Sequence, residues 1–94
     1  MKRYETTRYF RDEVLRKRPY LKLDWCIEIV ENPVRAEVQA DGKMRYWGFV
    51  SELGGRALRV VTLADGRTIH NAFPDRDFSP GQGGGRETSL LRRD

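Results

Sequence analysis

Arg35, Glu37, Tyr46, Arg59 and His70, with Arg76 a little further on, offer the side-chain types needed to cleave RNA without a metal. Attack of a ribose 2′-hydroxyl on the adjacent phosphate requires a base for the hydroxyl proton, an acid for the leaving 5′-oxygen, and cations for the crowded phosphorane. Glu37 or His70 can serve as the base, His70 or Tyr46 as the acid, and Arg35 and Arg59 as phosphate clamps. Arg76 lies just beyond the last expected strand and can reach the same surface. In such an assembly arginine charge lowers the pKa of His70 and Glu37 raises it. The same inventory also occurs on ordinary solvated sheets, so the elements that position these residues decide what they can do.

The rest of the composition restricts the partners. Cys26 is the only cysteine and His70 the only histidine, which rules out an intrachain disulfide and leaves structural zinc short of its usual ligands. No cofactor is expected. Lys and Arg outnumber Asp and Glu by 18 to 14, a net charge of +4 that favours encounter with polyanions. Most of the basic residues are arginines, whose planar fork suits phosphate, so nucleic acid ranks above a membrane as partner. With 38% hydrophobic and 34% charged residues in a chain of 94, one small domain with a modest core is expected, not a multidomain enzyme. No run approaches the roughly 18 apolar residues of a membrane span, and the start Met1-Lys2-Arg3-Tyr4-Glu5 lacks a signal-like apolar segment. The expectation is a cytoplasmic protein with no membrane partner.

Between Thr6 and Lys17, Tyr9, Phe10, Val14 and Leu15 form a stripe of helical period, capped by Thr6 or Thr7 and stopped by Pro19. A second helix is expected from Asp24 as N-cap, with Trp25, Cys26, Ile29 and Val30 on its apolar side and Asn32-Pro33 at its end. Cys26 reads as packing, and Arg16-Lys17-Arg18 as a solvated basic helix end more readily than a phosphate contact. Beyond Pro33 the pattern turns to strands, at roughly 34 to 40, 43 to 52, 57 to 64 and 67 to 73. They are divided by the hairpin dipeptides Asp41-Gly42, Gly54-Gly55 and Asp65-Gly66. The fold class is therefore α+β, two N-terminal helices packed on a four-stranded antiparallel meander, within a domain spanning 1–78. Residues 79–94, including Gly83-Gly84-Gly85, read as a flexible Gly/Arg-rich tail; no strand, helix or lysine follows the glycines as a phosphate loop requires.

If each dipeptide is a two-residue loop, Val60 lies opposite Phe49 and Asn71, Arg59 opposite Val50 and Ala72, Val61 opposite His70, and Glu37 opposite Tyr46. Val34, Ala36, Val38, Trp47, Phe49, Leu58, Val60, Ile69 and Phe73 then face the helices, with Arg45 and Asn71 as polar exceptions. Arg35, Glu37, Gln39, Tyr46, Gly48, Arg59, Val61, Thr68 and His70 make the other, working face. A three-residue loop in the first hairpin swaps Arg35 and Glu37 relative to Tyr46. Tyr46 and Trp47, as neighbours on one strand, point to opposite faces and cannot form one stacking platform.

Two helices followed by a four-stranded meander resemble the RelE/ParE-like toxin superfamily, including its BrnT-type branch, over roughly residues 5 to 78. Locally, Arg16-Lys17-Arg18-Pro19-Tyr20, Glu31-Asn32-Pro33, Gly54-Gly55-Arg56 through Arg59-Val60-Val61, and Ile69-His70-Asn71-Ala72-Phe73 look like small uncharacterised bacterial proteins often compared with that superfamily. The resemblance implies ribonuclease or gyrase-directed activity and an antitoxin-like protein partner; catalytic residues differ between branches, so none is carried over. The expectation is a toxin-like, metal-independent endoribonuclease with His70, Glu37 and Tyr46 at the reacting atoms and Arg35, Arg59 and Arg76 on RNA. The alternative is a non-catalytic module that binds RNA or a protein through the same basic face.

Overall fold

The computed structural model describes residues 3–79, and of the expected tail over 79–94 all but Ser79 lies outside them. The chain opens with a two-residue strand, β1 (Glu5–Thr6), followed by a first helix, α1, whose turns are π-helical over Phe10–Val14 and α-helical over Leu15–Lys17. Thr7 caps it: its hydroxyl oxygen accepts the Phe10 N–H at 3.0 Å, satisfying one of the donors a helix start leaves free. The wide turn shows in the Leu15 N–H, which donates to the Phe10 carbonyl five residues back. Phe10 and Val14 both fall on the buried side. A second helix, α2 (Leu23–Glu31), ends at Asn32, whose N–H donates to the Glu28 carbonyl. Asp24 sits in its first turn, and Lys22, in extended backbone, occupies the cap position expected for Asp24.

Four strands follow, β2 (Arg35–Val38), β3 (Met44–Val50), β4 (Arg56–Thr62) and β5 (Thr68–Pro74), with a 3-10 turn at Ser51–Leu53. They form an antiparallel meander as expected. The sheet has a fifth member, because β1 pairs in parallel with β5, giving the order β1-β5-β4-β3-β2 in a mixed sheet. Two residues, Glu5 and Thr6, carry no alternation that betrays a strand, which is why the four-stranded expectation falls one short.

The register departs from the two-residue loops at the first two turns, and beyond Thr62 in the third hairpin. Gln39 donates its N–H to the Lys43 carbonyl, leaving the three-residue loop Ala40-Asp41-Gly42 with Gly42 at φ +91, so Glu37 faces Arg45 and not Tyr46. The Gly54-Gly55 pair does turn the chain, both glycines having positive φ, but the 3-10 turn before it lengthens the loop and pairs Val50 with Arg56. At the third hairpin the two-residue register holds through Thr62 opposite Ile69. His70 is then an extra residue, a β-bulge, so Val61 meets Asn71, and Val60 meets Ala72.

An odd shift reverses a strand's faces, and β3 is reversed, as is β5 beyond its bulge. Tyr46, Gly48 and Val50 join Leu58, Val60, Ile69 and Ala72 on the helix side, where Phe10, Val14, Leu21, Cys26 and Ile29 complete the core. Trp47, Phe49 and Phe73, expected in the core, stand on the side away from the helices. Gly48 allows α2 to settle on β3: a Cβ there would lie 2.7 Å from the Cγ1 of Ile29.

Candidate functional site

On the face away from the helices, strand alternation gathers Arg35 and Glu37 of β2, Arg45, Trp47 and Phe49 of β3, Arg59 of β4 and Phe73 of β5. Trp47 is the centre. The guanidinium carbons of Arg59, Arg45 and Arg35 stand 5.2, 5.5 and 6.0 Å from its ring centroid, within cation–π range. With these guanidiniums and the Phe78 ring around it the indole is only 5% exposed, although no helix of the described residues lies over it. Arg59 also stands over Phe73 at 5.1 Å, with Arg18 from the end of α1 at 5.9 Å from the same ring.

The arginines are held in forks. Glu37 bridges two of them, through Arg35 Nη2 at 2.7 Å and Arg45 Nη2 at 2.8 Å. Asp75, just past β5, accepts on one oxygen both the Trp47 indole N–H at 2.9 Å and Arg59 Nη2 at 3.0 Å. Burial works against ionisation of Asp75, yet the indole and guanidinium donors outweigh it and hold the carboxyl below the usual carboxylate range. Three guanidiniums meet two carboxylates, so the cluster carries one net positive charge. Exposed Arg76 borders it at a groove of about 680 Å³ shared with Phe49, Arg56 and Phe78.

Of the expected site residues, Arg35, Glu37 and Arg59 share this face and Arg76 adjoins it. Tyr46 does not: it is buried among the core residues, its hydroxyl 3.3 Å from Thr62 Oγ1. Thr62 donates its own hydroxyl to the Leu63 carbonyl, so Tyr46 is the donor between them. His70 lies by the β1 edge, its ring stacked on Tyr9 at 5.0 Å and its Nδ1 3.1 Å from Thr7 Oγ1. The Thr7 hydroxyl accepts the Phe10 N–H and keeps a proton and a second lone pair, so it can pair with Nδ1 in either tautomer of the ring. Burial lowers the His70 pKa, the Lys43 charge lowers it further, and Asp41 partly opposes them. The expected influences, Arg59 and Glu37, are replaced by a lysine and an aspartate of the first turn. Among the described residues, no hydrogen bond or ring contact joins His70 to Arg35, Glu37 or Arg59.

Trp47, Arg45, Asp75 and Phe78 escape the sequence reading. For Trp47 and Arg45 a signal is present all the same: Arg45, a polar exception among the expected helix-facing residues, has the parity of Trp47 and marks that side of β3 as outward, as Asn71 does for Phe73 on β5. Comparison with models of protein families, with curated proteins and with solved structures finds no match to this chain.

Proposed function

We propose that this chain is an RNA-binding module whose recognition surface is the face of the sheet away from the helices. One observation carries the reading, the ring of Arg35, Arg45 and Arg59 around Trp47, which sets phosphate-binding forks beside an aromatic surface. Phosphates would compete with Glu37 and Asp75 for the guanidiniums. That exchange is cheap for Arg35 and Arg45, because partly exposed ion pairs contribute only about 0–1 kcal/mol each. Phe49 and Phe73 extend the aromatic surface across two further positions.

The test is binding of a fluorescent single-stranded RNA followed across a salt series. Affinity should fall with a log–log slope of about 0.7 per neutralised phosphate, and replacing both Arg35 and Arg45 with Ala should lower affinity and flatten the slope. No binding at low salt, with capture of an acidic protein at the same arginines, would move the reading to a protein partner.

A second reading, a toxin-like endoribonuclease of RelE/ParE type, is favoured by the position of Glu37 between two guanidiniums, a carboxylate base with clamps on either side. Its two helices against one sheet face agree with that resemblance. Here Glu37 takes the 2′-hydroxyl proton, and the leaving oxygen's acid must come from outside the cluster, since His70 and Tyr46 lie elsewhere. Cleavage of RNA in excess EDTA, lost in a folded Glu37→Gln variant, supports it; cleavage unaffected by that change points to a contaminating nuclease.

A further inference from the structure

Phe78 lies where a ligand base would. Its ring stacks on Trp47 with centroids 5.2 Å apart and planes 9° from parallel, the arrangement a nucleobase adopts on an aromatic platform, and it tilts against Phe49 at 6.1 Å. What holds it there is slight. The Asp75 N–H donates to the Ala57 carbonyl as the last backbone tie to the sheet. Beyond it, among the described residues, the hydrogen bonds of 76–79 run only back to Asp75: Asp77 N–H to its carboxylate at 3.1 Å and Phe78 N–H to its carbonyl at 3.3 Å. Asp75 itself grips the Trp47 indole and Arg59, so the segment can pivot after it without disturbing the platform. The groove of about 680 Å³ alongside, bordered by Phe49, Ala57 and Arg76, gives the ring somewhere to go.

Building on the RNA-binding reading, we propose that Trp47 is a base-stacking site for single-stranded RNA and that Phe78 is its gate, occupying the site until a nucleobase displaces it. The neighbouring guanidiniums of Arg35, Arg45 and Arg59 then meet the phosphates on either side of the stacked base. Apparent affinity is reduced by the fraction of molecules in which the ring is out of place, so a gate open roughly a tenth to a third of the time weakens binding about three- to tenfold.

The experiment uses the full chain carrying Trp25→Phe, leaving Trp47 as the only tryptophan, and reads both its emission and RNA affinity. Phe78→Ala should expose Trp47, shift its emission to the red, and tighten binding of a single-stranded oligonucleotide about three- to tenfold. Phe78→Trp, read by affinity alone, should strengthen the gate and weaken binding. Adding RNA to the Phe78→Ala form should quench Trp47. The reverse order, with Ala weaker and Trp tighter, would make Phe78 part of the platform and overturn the gate, as would equal affinities. Absence of RNA binding in all forms overturns the RNA reading itself and the gate with it, an outcome distinct from either of those.

Discussion

His70 stands against the first helix and β1, not on the basic face. The bulge that ejects it from the β4 register aims it at Thr7 and Tyr9, and burial there together with the Lys43 charge favours its neutral form. Its pKa in the fold lies below the ordinary 6.5, so the unfolded chain binds the proton more tightly. The stability this contributes is fully present above about pH 6.5 and is lost as pH falls through the folded value. Urea midpoints measured from pH 8 downward should therefore begin to drop below pH 6.5, and His70→Gln should remove that part of the decline. A His70→Gln profile that matches wild type between pH 8 and 5 would show that the ring is not protected from protonation. The carboxylates titrate in a lower window: Asp41, receiving the Lys43 backbone N–H and ammonium, is held at about 2, and Asp65, receiving the Thr68 hydroxyl and two backbone N–H groups, is also lowered. The candidate residues were legible by type, since Arg35, Glu37 and Arg59 do converge. Their company was not, because Trp47 and Tyr46 exchange places when one strand turns over.

At the scale of elements, the turns were easy to find and their lengths were not. Glycine at positive φ occurs at each expected dipeptide, as the backbone there requires, yet Gln39 and Lys43, the Ser51–Leu53 turn and the His70 bulge alter the residue count around them. A dipeptide marks where a chain reverses; the hydrogen bonds that close the loop fix register, and those depend on tertiary neighbours. The seating of α2 on β3 provides a direct check that β3 has the orientation described. Gly48→Ala pushes a methyl into Ile29 Cγ1 and should cost about 1–3 kcal/mol as overpacking. Ile29→Ala alone opens a cavity at about 2–5 kcal/mol. Because each change relieves the other, the double variant should lose clearly less than the sum in a denaturant-unfolding cycle. Strict additivity would place Gly48 on the other face. The first helix was also legible in its apolar stripe, though a wide π turn brings Phe10 and Val14 inward where a regular α-helix was expected.

In the whole molecule, helices cover one side of the sheet and the basic, aromatic side is left to the segment after β5. The parallel pairing of β1 with β5 joins the two ends of the described chain, with Glu5 N–H donating to the Arg67 carbonyl and Thr7 N–H to that of Ile69. Contacts of such sequence separation form late on a folding route, so removing one should mainly speed unfolding. Glu5→Pro deletes one ladder donor; stopped-flow unfolding should accelerate about fivefold while the refolding rate changes little. A matching fall in the refolding rate would instead put β1 in the folding nucleus. The same pairing bears on how the protein is born. A ribosome delivers β1 before β5, so Glu5 and Thr6 wait, unpaired, through the synthesis of every described element between the two. Until residue 70 has emerged, that strand lacks its full partner in the sheet and Thr7 has no imidazole to hold. A nascent chain stalled within the last hairpin would carry both helices and most of the meander yet remain open along one side, exposed to the chaperones and proteases that patrol such edges.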